Sequence, residues 1–181
     1  MKKILTITIV CFSFCLTFQA NAQSPTGEEI KAHFIKDWER AKAYTIDYLN
    51  TMPADKYSFK AHDSIRSFAQ QMLHLAQANV GLLMGPIGEP LSFARANLEG
   101  SATAQSKDSV LYYVTASYDY AINGLKKLNP TTFGEKSKFF NFEETKYTWF
   151  LKAFEHQTHH RGQTTVYIRL QGIKPPQERL F

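Results

Sequence analysis

Cysteine is scarce in this chain, and both cysteines lie in an N-terminal segment that we expect to be removed. Loss of Cys11 and Cys15 leaves the rest of the protein with no disulfide, no thiol nucleophile and no thiolate metal ligand. A metal ion bound after residue 22 must therefore be held by histidine and carboxylate side chains.

The N-terminal apolar run is too short to be read as a membrane span. Residues 4–18 fall below the about 20 apolar residues that a transmembrane helix needs. Two lysines precede the run, and Ala20-Asn21-Ala22 supplies the small residues that signal peptidase reads. An uncleaved anchor is the alternative. We predict a cleaved signal peptide over residues 1–22 and a single domain over residues 23–181, secreted to the periplasm without stable membrane insertion.

Strong charge of one sign is also lacking. The formal net charge is +5, and loss of residues 1–22 removes two lysines and no acidic residue, which leaves about +3. Lysine and arginine form no extended run, and the aromatic residues are spread along helical stripes. This distribution argues against a nucleic-acid partner.

Four segments repeat apolar residues every three or four positions, as amphipathic helices do. No segment keeps the two-residue alternation of a strand. Thr26 and Glu29 form a capping box before the first helix, and Gly172 ends the last one. The predicted helices span about Ser24–Met52, His62 or Asp63 to Met84, Lys107–Leu128 and Glu144–Gln171.

Two longer connections separate these helices. Gly85–Gln105 has about 20 residues that extend up to about 65 Å, whereas a helix of about 22 residues is only about 33 Å long. The chain can therefore cross over to the starting end, which leaves the second and third helices parallel. Thr131–Glu143 is rich in phenylalanine and is predicted to be an edge flap of little regular structure. The predicted fold class is all-α, a four-helix bundle with a long crossover between helices 2 and 3.

Three of the six histidines fall within five residues of the fourth predicted helix. His156 and His160 are four residues apart, so one helical turn places both imidazoles on the same face. They also continue the buried stripe that runs from Trp149 to Tyr167. His159 lies three residues from His156, a spacing that also permits a pair, but it shares its face with charged residues. The stripe therefore favours His156 and His160 as metal ligands.

A third histidine lies on the second predicted helix. His74 sits beside the apolar stripe, in a band of polar but nearly uncharged residues. Such a band suits the lining of an interior pocket, and a surface histidine among glutamines explains the local sequence equally well. Bundles build metal sites from side chains on facing helices, so His74 can converge with the pair on the fourth helix.

Three neutral imidazoles are a ligand set for a catalytic divalent metal with an open coordination position. Zinc or nickel is the first expectation and iron or copper the alternative, because imidazole suits all four. The pattern differs from a zinc-protease helix, since Gln157 follows His156 where the glutamate base would stand. No carboxylate is nominated as a general base: Glu155 faces away from the pair, and Glu89 is only a loop candidate.

The runs His156–Gln163 and Tyr167–Pro176 resemble the C-terminal signature of the DinB/YfiT-like superfamily, and Arg66–Ala76 resembles its second-helix motif. The resemblance covers essentially all of residues 23–181. It implies an up-down-down-up bundle and a metal triad of one histidine on the second helix with an H-x-x-x-H pair on the fourth. Carried over by position, the ligands are His74, His156 and His160.

The resemblance predicts the metal ligands, but it leaves several possible reactions. The superfamily includes thiol-dependent transferases and isomerases as well as proposed metal-dependent hydrolases, and export disfavours a cytosolic thiol cofactor. We predict a metal-dependent hydrolase that uses metal-activated water on a small-molecule substrate. The alternatives are a non-catalytic or structural metal-binding envelope protein, a thiol-dependent S-transferase, and a bundle that binds no metal. A homodimer is a further expectation of the resemblance.

Overall fold

Four helices of 20 to 25 residues carry the fold. The computed structural model describes residues 24–181, so the signal peptide expected over residues 1–22 lies outside the described residues. None of the helices within residues 24–181 combines the length and hydropathy of a membrane span. The elements in chain order are α1 (Gly27–Thr51), α2 (Phe68–Ile87), α3 (Lys107–Lys127), β1 (Lys136–Phe139), β2 (Phe142–Thr145) and α4 (Lys146–Leu170).

Contacts along α1 and α3 show that these two helices run antiparallel. Glu39 pairs with Lys126 at 2.8 Å, whereas the Lys107 ammonium group donates to the Asn50 carbonyl at 3.1 Å. The earlier residue of α1 thus meets the later residue of α3.

The crossover leaves α2 and α3 parallel, as the length of the connection predicts. Midway along both helices, the Asn79 amide donates to the Ser117 hydroxyl at 3.2 Å. Near both C-termini, Gly124 makes room for Ile87, since a Cβ at this glycine would lie only 2.6 Å from Ile87 Cγ1. Matching positions on the two helices therefore face one another.

The last helix runs antiparallel to α2. The Tyr167 hydroxyl, near the end of α4, donates to the carbonyl of Arg66 just before α2 at 2.8 Å. Further along α2, His74 lies beside His156 from the first half of α4. The helix directions are therefore up-down-down-up, and the predicted four-helix bundle is confirmed.

The second helix begins later than predicted. It starts at Phe68, with Ser67 and Gln70 as a capping box, rather than at position 62 or 63. The first amides of α2 are held by the preceding linker, because Phe68 N donates to Phe59 O and Ala69 N donates to Tyr57 O, both at 2.9 Å. Tertiary contacts with the linker thus override the local capping signals upstream.

A short β-hairpin occupies the connection that was predicted to be an irregular flap. β1 and β2 pair antiparallel, with Phe139 opposite Phe142, and the Trp149 indole donates to the Ser137 carbonyl at 2.9 Å. The hairpin lies against α2, where a Cβ at Gly85 would come within 3.1 Å of the Lys138 carbonyl. The prediction of no strand is wrong here because each strand has only four residues, half of them charged and none fully buried, which is too short an alternation to recognise in the sequence.

A buried polar cluster joins α1, α3 and α4. Gln157 is fully buried and Arg161 is 6% exposed, although neither belonged to the predicted core stripe. The Gln157 carbonyl accepts from the Tyr118 hydroxyl at 2.6 Å and from the Arg161 guanidinium at 2.8 Å. Thr45 on α1 lies 2.7 Å from the Tyr118 hydroxyl, and the guanidinium stacks over the Tyr44 ring at 4.7 Å. These contacts compensate the burial of a guanidinium group.

Replacement of Tyr118 by phenylalanine should lower the free energy of unfolding by about 1–3 kcal/mol, because it leaves the buried Gln157 carbonyl with one donor fewer. Urea denaturation followed by circular dichroism measures the change. Tyr112→Phe is the matched control on the same helix, since that ring is 64% exposed and should shift the midpoint little. Equal effects of the two variants would contradict the role assigned to the cluster.

Candidate metal centre

Two helices bring three histidines together. His74 comes from the second turn of α2, and His156 and His160 lie one turn apart on α4. Their ring centroids are 5.3 Å apart for His74 and His156, 4.6 Å for His74 and His160, and 4.3 Å for the α4 pair. One ring nitrogen from each residue falls within 4.8 Å of the other two, so the cluster can hold a metal ion.

The α4 pair already has the spacing that a shared metal requires. The Nε2 atoms of His156 and His160 lie 3.1 Å apart. Two imidazole nitrogens bound to zinc at 2.0–2.1 Å in tetrahedral geometry are about 3.3 Å apart. The separation of the α4 pair is therefore close to that of two nitrogens bound to one zinc ion.

A carboxylate and an arginine fix the third histidine. Glu99, on the crossover between α2 and α3, accepts from Nδ1 of His74 at 2.9 Å and from Nε of Arg66 at 2.7 Å. In the neutral ring with its proton at Nδ1, the Nε2 lone pair of His74 is available to a metal. Both Glu99 oxygens are engaged, so this residue orients His74 rather than serving as a base.

Burial keeps the α4 pair neutral. Desolvation lowers the pKa of His156 to about 4, with the His74 charge as the next cause. Desolvation, followed by the charge of His156, lowers the pKa of His160 to about 3. Neutral imidazole is the form that binds metal. The Nδ1 atoms of both rings are buried and meet no hydrogen-bond partner in residues 24–181. In a neutral ring that binds metal through Nε2, the proton is on this Nδ1 atom.

The other residues considered in the sequence lie outside this cluster. His159 is exposed and contacts the Gln163 amide at 2.8 Å, as the helical wheel predicted. Glu155 is exposed, and Glu89 pairs with Lys127 on α3 at 3.2 Å. Neither carboxylate joins the histidine group, so Glu89 is not supported as a general base.

The cluster borders a cavity of about 820 Å³. His74 and His156 form one end, and the walls come from α2, the crossover and the hairpin. Another cavity, of about 750 Å³, lies between α1 and α4 and is lined by none of the three histidines. Of these two cavities, only the first is lined by residues of the histidine cluster.

A family model for the DinB family matches residues 21–179. The chain belongs to the DinB family. Two solved structures share its fold: a DinB-like protein from Bacillus cereus (TM-score 0.72) and a DinB-like protein from Bacillus subtilis (TM-score 0.60). Each is 17% identical over 82% of this chain, which corresponds to 97% and 96% of the respective structures. No curated protein matches the sequence significantly.

Sequence reasoning missed Glu99 and Arg66 as parts of the site. Glu99 lies 25 residues after His74 in an irregular connection, where no helical period relates the two. Arg66 stands just before α2 and was read as part of a helix that has not yet begun there. The nearby helix cap at Ser67 and Gln70 is the one local signal, because it fixes where the crossover can dock: Gln70 donates to the Glu99 carbonyl at 3.0 Å.

Replacement of Glu99 by alanine should weaken metal binding about 10- to 100-fold, because His74 loses the acceptor that fixes its tautomer and ring orientation. The main-chain hydrogen bonds of residue 99 stay in place. Competition for zinc against a chromophoric chelator measures the affinity. Glu89→Ala removes a carboxylate from the same connection and should leave the affinity unchanged; equal affinities for Glu99→Ala and the unmodified protein would refute the orienting role.

Proposed function

We propose that this DinB-family protein is a metal-dependent enzyme, most simply a hydrolase, with His74, His156 and His160 as the ligands of a divalent metal. The observation that supports this best is the convergence of three imidazoles beside an open cavity. Among residues 24–181, no fourth histidine, cysteine or carboxylate joins the group. Catalytic metal sites commonly have three protein ligands and an open position, whereas structural sites have four.

The residues of the site have two roles: the histidines would bind the ion, and Glu99 would orient His74. His156 and His160 offer Nε2 atoms from one face of α4, and Glu99 keeps the proton of His74 on Nδ1. A bound divalent metal, zinc or nickel first and iron or copper as alternatives, would supply a water nucleophile at neutral pH or polarise a substrate oxygen. The largely apolar lining of the cavity would hold an apolar part of the substrate next to that position.

The alternative is a structural role, in which the metal would stabilise the packing of α2 against α4. The three histidines come from two helices, so an ion held by them would also cross-link α2 to α4. A metal bound at 100 times its dissociation constant adds about 2.7 kcal/mol of stability whatever its chemistry. Stabilisation by metal is therefore expected under both roles, and only turnover separates them.

Replacement of His160 by alanine should abolish stoichiometric metal binding while the helix content is kept. Only His74 and His156 remain as ligands, and catalytic metal sites commonly need three. Mass spectrometry of metal content, on protein purified without a histidine tag, measures the loss. His159→Ala is the matched control, since it removes the adjacent exposed histidine. Unchanged metal content in His160→Ala would overturn the ligand assignment.

The same two variants test the reaction. A panel of ester, amide and thiol-transfer substrates should reveal turnover that requires metal, is lost in His160→Ala and is kept in His159→Ala. Turnover only with a thiol would assign the site to the S-transferase alternative. Inactivity of the metal-loaded protein over the whole panel would favour the structural alternative.

We also propose export and dimerisation, on sequence grounds alone. Two lysines, the apolar run at residues 4–18 and Ala20-Asn21-Ala22 support cleavage before Gln23 and a periplasmic location. The family resemblance supports a homodimer. Intact-mass analysis and light scattering of the protein from the cell envelope should give a chain that begins at Gln23 and twice its mass in solution. A full-length chain or a monomer would contradict the respective proposal.

A further inference from the structure

The cavity beside the histidines extends well beyond them. Its α2 wall runs from His74 to Met84, about 15 Å along the helix axis. Gly81 belongs to this wall, and the Phe139 ring of the hairpin lies 3.5 Å from the position that a Cβ at Gly81 would occupy. The space is therefore elongated, with the histidines at one end and the hairpin over the other.

Most of the wall is apolar. Seven of the twelve residues around the cavity have no polar side-chain group, and they come from all three segments that form it. Two of them, Phe139 and Phe140, belong to the hairpin, where the Phe140 ring is 84% exposed. An apolar body of several carbon atoms would cover these surfaces and remove them from water.

The charged residues around the cavity are all cationic. Arg95 on the crossover and Lys138 on β1 line it, and no aspartate or glutamate does. Within residues 24–181, Arg95 forms no ion pair. Lys138 pairs with Glu143 at 3.1 Å, but both side chains are exposed, at 73% and 39%, so this pair is weak and exchangeable.

The main chain next to Arg95 is fastened to α2, and Arg95 lies beside Met84, at the end of the α2 wall away from the histidines. The Gln77 amide donates to the carbonyl of Ala96 at 2.5 Å, which fastens this part of the crossover to α2. Gln77 is three residues after His74, about 4.5 Å along the helix axis. The crossover next to Arg95 is thus held against the α2 wall of the cavity.

We propose that this cavity binds a small amphipathic anion, with an apolar chain or ring along α2 and a carboxylate or phosphate group at Arg95, assisted by Lys138. As a statement about the substrate, this rests on the proposed function, since the reacting bond would lie beside the histidines. As a statement about binding, it rests on the cavity alone. The guanidinium is suited to either anion because its N–H groups match two oxygens at once.

Octane-1-sulfonate is a suitable probe, because its sulfonate group pairs with arginine and is a poor metal ligand. Calorimetric titration into metal-free protein should show binding at least tenfold tighter than that of octan-1-ol or octyltrimethylammonium. Arg95→Gln should weaken sulfonate binding about five- to tenfold, and Lys138→Gln should weaken it less. The matched controls Arg169→Gln and Lys36→Gln lose the same charges from exposed positions outside the cavity and should bind as the unmodified protein does.

Titrations with octanoate and octyl phosphate then show whether the cavity prefers a carboxylate or a phosphate group, because the ligand with the higher affinity carries the preferred group. Equal affinity for the alcohol and the sulfonate, or undiminished sulfonate binding by Arg95→Gln, would overturn the proposal. Metal-free protein separates this result from the proposed function. A protein that binds the anion but no metal retains the cavity assignment and loses the enzymatic one.

Discussion

His74 reaches His156 and His160 only because α2 and α4 pack antiparallel with matched registers. The register is fixed away from the histidines, where Tyr167 on α4 donates to the carbonyl of Arg66 and packs on Phe68. A shift of one helical turn would move α4 by about 5.4 Å and separate His74 from the pair. The contact at the start of α2 is therefore what the site depends on.

Two faces of α4 form two different interfaces, one with α2 and one with α1 and α3. The residues of each face recur every four positions. Gln157 and Arg161 each follow a histidine by one residue, and one residue rotates the side chain by about 100° around the axis. His156 and His160 thus face α2, while Gln157 and Arg161 face Thr45 on α1 and Tyr118 on α3. A buried guanidinium is costly unless its hydrogen bonds are made, so this second face accepts few alternative registers. The polar cluster in this way holds the histidines at their place against α2.

Most of the features predicted from the sequence came from regular spacing of apolar residues and histidines. The four helices, the parallel crossover and the convergence of His74 with the α4 pair all follow from spacing, connection length and the family resemblance. Glu99 could not be found this way, because a residue in an irregular connection has no period to relate it to a helix. The hairpin was missed for a different reason: each strand has only four residues, half of them charged and none fully buried, so neither shows an apolar alternation long enough to recognise. Non-local contacts decide both features.

The crossover is longer than a return to the other end of the bundle requires. Its additional residues contribute side chains to the histidine cluster and to the cavity beside it. A span of about 33 Å needs only about ten extended residues. The actual connection also docks Glu99 against His74 and Arg66, and places Arg95 at the cavity wall. Two glutamines of α2, Gln70 and Gln77, bind its carbonyls and hold these positions. The helices thus hold three histidines at a fixed distance, whereas the irregular segments carry Glu99, which holds His74, and the arginine that lines the cavity.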